Sequence, residues 1–451
     1  MDVLPFSYLI RDKALFFSRS KYFVSILGYL TIIFSTGCAS YVEETQVVRE
    51  AFRGGRYEQA LTSLENSDLK KQGRNELLYW LERASILDRM KEREKSRAAL
   101  LNADRIVDRL YTVSVTKTAA TFFVNEAMSD YEGEDYEKVA IHTMLALSFI
   151  EERNLSGARV EAAKINSKLQ EITQNYGEKY AGYSKDAFAR YLSGIIFEAQ
   201  NDPDDAIIDY RASLSWYATP SFQRFNAGGV PKNLVKALYR LAKKRRRDDI
   251  YAQLKQNYSS WTDEVDKDEA RPTKTGEIIV IHEAGQIAIK RAQEFIIPIG
   301  GQIVRFSFPT IWPRPLSYST SSGVIIDDQP INVADNTANM DAIAHQCLED
   351  RRGRLLAKGA ARLLIKGQLT EQAREKFGDL GGLIANAYSA ITETADTRSW
   401  TLFPQAYYIS RARVPAGEHT VKIQTNGRVG NIFKVAVKEN DVLLYRDFTP
   451  W

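Results

Sequence analysis

Cysteine is almost missing from this chain: Cys38 and Cys347 are the only two in 451 residues. Two thiols cannot build the disulfide framework of a small secreted domain, so stability must come from packing. Histidine is nearly as scarce. His142, His282, His345 and His419 are scattered, with no HExxH pair and no paired cysteines beside them, which leaves no metal-site spacing and no implied cofactor. Charge of one sign is lacking too: 61 basic against 57 acidic residues give +4, too little to single out a polyanionic partner. The basic run Lys243 to Arg247 is followed at once by Asp248 and Asp249 and reads as a solvated helix face, so no nucleic-acid partner is expected. Long apolar runs are also wanting. The stretch from Tyr22 to Phe34 falls well short of the ~20 residues that a spanning helix needs.

That short run has a context. Arg11, Lys13, Arg19 and Lys21 precede it and Ser35-Thr36-Gly37-Cys38 follows, which is the layout of a secretory signal peptide over residues 1–37. Thr36-Gly37-Cys38 resembles the lipobox of bacterial lipoproteins. The resemblance implies cleavage between Gly37 and Cys38 and acylation of Cys38, and two or three acyl chains hold a protein firmly on a membrane. Ala39 and Ser40 follow, without the Asp that retains enterobacterial lipoproteins in the inner membrane. By that analogy the chain sits on the outer membrane, facing the periplasm. Cys347 then has no partner and reads as a small buried hydrophobe in a helix.

A chain of this length is expected to fold as two domains, and 44% apolar with 26% charged residues is a globular composition. Residues 38–261 show 3.6-residue apolar periodicity and repeated small and large positions. Gly55, Tyr57, Ala60 and Leu64 form one set; Ala84, Leu87, Ser96, Leu100 and Ala103 a second; Gly194, Phe197, Ala206, Tyr210 and Ser213 a third. The spacing resembles tetratricopeptide repeats, in which a small residue lets two helices approach and a large one fills the adjoining groove. An α-solenoid with a concave, protein-binding surface follows. Within it Glu134, Tyr136 and His142 cluster near Gly133. Carboxylates beside a histidine can do acid–base chemistry, but an acidic helix start set against the helix dipole needs none.

Residues 262–276 are acidic and turn-rich, the composition of a linker. Beyond them the period changes to two. Strands are expected over Glu277–His282, Gln286–Lys290, Glu294–Ile299 and Gln302–Phe308, and again over Tyr407–Val414, His419–Gln424, Ile432–Val437 and Val442–Tyr445. Helices are expected between these groups, at about 340–395. The fold class is therefore α+β in two domains: a helical repeat domain and, over 277–451, a β-rich domain with a helical insertion. Asp396, Arg398 and Trp400 mark the return from insertion to sheet. Ser399 between them invites a hydrolase reading, yet no GxSxG or SxxK accompanies it. A structural Asp396–Arg398 pair with Trp400 as an anchor is the plainer expectation, with no catalytic residue assigned.

The segments GEDYEKV (133–139), GARVEAA (157–163), GEIIVI (276–281) and ADTRSW with LFP (395–404) resemble an uncharacterised family of bacterial lipoproteins with N-terminal tetratricopeptide-like repeats. The resemblance implies a repeat-plus-β architecture and an envelope location, and it supplies no reaction. The leading functional expectation is a non-enzymatic scaffold whose repeats dock an envelope protein, with cell-wall synthase regulation as one setting. Recognition of glycan or cell wall by the β-domain is the alternative, and a periplasmic hydrolase a third.

Overall fold

The computed structural model describes residues 41–71, 73–116, 129–176, 185–220, 222, 229–271, 273–299, 302–313, 322–351, 395–425 and 428–449. Gly37, Cys38 and residues 352–394 of the expected insertion lie outside them. Contacts divide the chain into two compact units, Met1–Glu44 and Thr45–Trp451. Of the first, one turn of helix at Tyr41–Glu44 is described.

The second unit begins with antiparallel helix pairs. They are α1 (Gln46–Arg53) with α2 (Tyr57–Asn66), α3 (Glu76–Arg89) with α4 (Arg93–Thr116), α5 (Asp135–Glu151) with α6 (Leu155–Tyr176), and α7 (Ala187–Ala199) with α8 (Pro203–Tyr217). Side chains that satisfy orphan backbone donors start several of them. Asp186 accepts from the Ala189 amide at 2.8 Å, and Asp202 precedes Pro203. Glu134 and Glu137 form a reciprocal capping box at the head of α5.

Small residues set the helix spacing. A Cβ on Gly194 would sit 2.4 Å from the Tyr210 ring, so α7 and α8 touch at the distance only glycine permits. Ala84 and Ala206 are buried where their helices meet. Ser96 donates to the Ala84 carbonyl (2.9 Å) and Ser213 to that of Ala187 (2.7 Å), tying second helix to first in two different pairs. In the first pair Gly55 turns the chain at φ +70°, Phe52 meets Tyr57 edge to face at 5.5 Å, and Ala60 is buried.

The array continues through α9 (Lys232–Lys244), α10 (Asp248–Asn257) and α11 (Ser259–Glu269). α11 corrects the linker expected at 262–276. Thr262 and Val265 are buried, and the acidic residues that read as linker pair with α9: Glu264 with Lys232 and Lys236, Asp266 and Glu269 with Lys243. Charge alternation mimicked a linker because the apolar stripe of this helix is narrow.

The strands are β1 (Thr275–Ala284), β2 (Arg291–Ile299), β3 (Gln302–Thr310), β4 (Ser322–Ile326), β5 (Gln329–Val333), β6 (Asp335–Asn339), β7 (Ala406–Pro415), β8 (Gly417–Thr425), β9 (Arg428–Val437) and β10 (Val442–Thr449). One sheet has the order β10-β1-β7-β6 and joins both strand groups, with β10 parallel to β1. A second has the order β5-β4-β8-β9, and β2 pairs with β3 alone. Gln286–Lys290, expected as a strand, is irregular. Its hydrogen bonds run to other segments, Gln286 donating to the Thr401 carbonyl and the Ala288 amide to Asp341.

The two four-stranded sheets pack face to face through Ile278, Val280, Ala412 and Val414 on one side and Val324, Ile326, Val421 and Ile423 on the other. Strand alternation sends Glu277, Ile279, Ile281 and Glu283 to the opposite face of β1. That face meets the repeats, where the Phe188 and Tyr407 rings stack at 4.4 Å. The order is therefore repeats, first sheet, second sheet, and the boundary expected at 262–276 falls inside one compact unit. The first sheet is covered on both sides, so it cannot leave the repeats without exposing buried charge and apolar surface together.

Candidate functional site

Two of the segments singled out from sequence meet where the repeats face residues 395–405, with Glu137 and Trp400 263 residues apart. Glu137, on the first turn of α5, accepts from four donors: the Tyr131 hydroxyl (2.7 Å), the Tyr136 hydroxyl (3.3 Å), the Glu134 amide (2.9 Å) and the Trp400 amide (2.7 Å). Burial, and then the Glu134 charge, push the Glu137 carboxyl above its ordinary range. Burial pushes Glu134 the same way, but Arg351 and Lys290 outweigh it and bring it down to about 2. Lys290 Nζ bonds one Glu134 oxygen and Arg351 the other, at 2.9 Å.

Trp400 is fully buried, its ring 4.7 Å from that of Phe403 and its Nε1 donating to Ser85 Oγ at 2.8 Å. The next two amides, of Thr401 and Leu402, donate to the two oxygens of Glu82 on α3 at 2.7 and 2.9 Å. Arg398 holds Asp396 through Nε (2.8 Å) and a terminal nitrogen (2.9 Å). Its other terminal nitrogen donates to the Ser129 carbonyl (2.9 Å) and Asn75 (3.2 Å), and the guanidinium lies over the Tyr131 ring. The carboxylates of Glu82 on α3 and Glu137 on α5 thus hold the main-chain amides of 400–402, a turn of the chain itself, against the repeats.

This geometry commits the polar groups of Glu134, Glu137, Arg398 and Trp400 to fixed partners. Ser399 has a buried hydroxyl that meets no hydrogen-bond partner among the described residues, so no base activates it there. His142 is not part of the cluster. It lies further along α5, its Nδ1 2.8 Å from Glu161 on α6 and its Nε2 3.4 Å from Asp104 on α4. The imidazole therefore bridges three successive helices.

A pH dependence follows. Burial lowers the His142 pKa, but hydrogen bonds to Asp104 and Glu161 outweigh it and the net shift is upward. The stabilisation from His142 is complete below its unfolded value of about 6.5 and is lost as pH rises through the higher folded value. The urea midpoint should therefore fall as pH rises above about 6.5, and His142→Gln should flatten that fall. An identical slope in the variant would show that His142 contributes nothing to it.

Sequence reasoning missed the residues that join sheet to repeats. Arg411 on β7 donates to Glu277 (2.6 and 3.1 Å), Glu198 (2.7 Å) and the Tyr210 hydroxyl (3.0 Å). Burial alone would raise Glu277, yet Arg240 and Arg411 bring it to about 2. Arg446 on β10 grips both oxygens of Asp88 at 2.8 Å and Glu283 at 2.8 Å, and Arg89 bonds Glu283 as well. The signal available was charge on the same face of a strand, at Glu277 and Glu283, whose intervening residues are isoleucine.

No family model matches the chain, and no curated protein matches it. Solved structures similar to it include MamA of AMB-1, 13% identical, covering 50% of this chain and 90% of that one with a TM-score of 0.28. Another is a Podosopora anserina protein described as a kinesin light chain with nearly identical TPR-like repeats, 11% identical, covering 51% and 95% with a TM-score of 0.30.

Proposed function

We propose that this protein is a non-enzymatic scaffold of the bacterial cell envelope, acylated at Cys38 and held on the periplasmic face of the outer membrane. Its repeats and β-sandwich act as one rigid body that presents a protein-binding surface. The supporting observation is that the chain occupies its own repeats: Glu82, Glu137 and Ser85 on their inner face are bonded to residues 400–402. A partner therefore docks on the other side of the array. There α4, α6 and α8, the second helices of three successive pairs, each carry a solvent-exposed apolar side chain, Leu101, Val160 and Ile208.

Photo-crosslinking residues placed at 101, 160 and 208 in the anchored protein test this in intact envelopes. A discrete crosslinked partner is expected at these positions, and it should be lost when Val160→Glu and Ile208→Glu are combined. Absence of any crosslink there would defeat the scaffold reading. Globomycin-sensitive processing and palmitate incorporation that disappear in Cys38→Ala test the anchor separately.

A further inference from the structure

The chain crosses from the first sheet to the second at a short corner, Pro415-Ala416-Gly417, between β7 and β8. His419 lies just past it. Strand alternation puts this residue on the inner face of β8 with Val421 and Ile423, and it is 8% exposed. Each of its ring nitrogens meets an oxygen. Nδ1 is 2.7 Å from Asp327 and Nε2 is 2.7 Å from the Pro415 carbonyl. Asp327 and Asp328 form the two-residue β4–β5 turn, both on left-handed backbone (φ +50° and +63°), where asparagine and glycine are commoner. The Asp327 amide donates to the Thr420 carbonyl (3.0 Å), and its other carboxylate oxygen accepts from the Thr420 amide (2.9 Å). That amide, and then His419, hold the Asp327 carboxyl below its ordinary range. It is therefore ionised near neutral pH and has no proton to give the ring.

A carboxylate and a carbonyl can only accept, and a neutral imidazole has one N–H for the two of them. Two contacts of 2.7 Å are therefore the geometry of the imidazolium. Burial would lower the His419 pKa, but the bonds to Asp327 and to the Pro415 carbonyl outweigh it and the net shift is upward. The other charges nearby are already placed. Asp328 of the turn bonds Lys422 of β8, and Arg413 of β7 donates to Thr275. Lys274 pairs with Glu439 beside the corner, where its carbonyl accepts from the Ala416 amide. Glu418 is exposed, and the register sets Lys434 of β9 opposite Thr420. Among the described residues none of these groups bonds the ring.

We propose that His419 is a proton-operated latch, which ties the β4–β5 turn to the β7–β8 corner when protonated and releases the corner when it loses its proton. The carboxylate is the stronger acceptor, so the neutral ring keeps Nδ1–H on Asp327. Its Nε2 lone pair then faces the Pro415 oxygen, acceptor against acceptor. The tie is complete below the unfolded histidine value of about 6.5 and is lost as pH rises through the higher folded value. Residues 415–418 are exposed, so the corner can shift without uncovering Val421 or Ile423. The latch needs neither the envelope location nor a protein partner, and it stands or falls apart from the scaffold reading.

Two measurements on the full chain test this. Nitrogen NMR of protein labelled with heavy-isotope histidine, with His419 assigned by its loss in His419→Gln, follows the ring through a pH titration. Both ring nitrogens should be protonated at the start, and the midpoint should lie above that of a histidine peptide in the same buffer. Asp327→Asn should bring the midpoint down towards the peptide's. Hydrogen–deuterium exchange, corrected for the intrinsic effect of pH, reads the corner. Protection of amides 416–420 should fall about fivefold through the His419 titration, the worth of one hydrogen bond, while that of 276–284 in β1 holds. His419→Gln should show the lower protection of 416–420 at every pH. A His419 midpoint at or below the peptide's would overturn the proposal. So would unchanged protection of 416–420 through the titration, or an equal fall in β1, since the whole unit would then be loosening.

Discussion

Arg446→Ala is expected to lower the unfolding free energy by about 3 kcal/mol, because it takes the shared buried partner from two buried carboxylates and leaves them with Arg89 alone. Arg446, Asp88 and Glu283 have side chains 3%, 3% and 0% exposed. Burial disfavours the Arg446 cation, and Asp88 and Glu283 more than restore it. An exposed pair in the same chain, such as Lys274 with Glu439, contributes far less, because water screens it. Urea unfolding followed by tryptophan fluorescence and by circular dichroism measures the loss. Asp88→Ala combined with Arg446→Ala should cost less than the sum of the single changes, since the two share one interaction. A loss below 1 kcal/mol for Arg446→Ala would mean that sheet and repeats are not coupled through this site.

The same buried charge explains what was legible in the sequence and what was not. Local patterns carry local structure. Gly194, read as a small residue between two helices, faces Tyr210, and the alternation from Glu277 to His282 lies in a strand that extends from Thr275 to Ala284. Relations between distant elements leave weaker traces. Glu277 and Glu283 drew no attention in the sequence because their partners lie far along the chain: Arg411 for the first, Arg446 and Arg89 for the second. The acidic stretch after Trp261 read as linker for a similar reason, since lysines of α9 neutralise it in space. Strands β4, β5 and β6, which are not among the expected strands, have five residues each and are interrupted by polar residues such as Asp327, Asp328 and Asp335, too short for a period of two to stand out. Motif spacing drew attention to 133–142 and 395–400 together, but only the fold separates His142, on its own three-helix bridge, from the residues that meet Trp400.

Trp400→Ala is the sharper probe of whether the repeats depend on the segment they hold. It should cost about 3–5 kcal/mol, the range for deleting a buried aromatic ring, because the cavity opens against α3 and the Ser85 hydroxyl loses its indole donor. The Trp400 amide still reaches Glu137 in this variant, since that bond is made by main chain, so the loss reports the ring. Trp400→Phe keeps most of the bulk and removes the Nε1 bond, and should cost about 1 kcal/mol for that bond beyond any repacking. Glu82→Gln addresses the main-chain clamp separately, replacing a charged acceptor of the Thr401 and Leu402 amides with a neutral one. Thermal melts of the three variants, with limited proteolysis across 395–405, distinguish the possibilities. If 400–402 is an integral part of the repeat core, Trp400→Ala lowers the melting temperature of the whole unit and exposes helices α3 and α5 to protease along with the segment. If only the segment becomes cleavable while the helices keep their protection, the inner face of the repeats is a groove that its own chain occupies and can vacate. The proposed scaffold would then have a second surface for partners, on the side where Glu82 and Glu137 await main-chain donors.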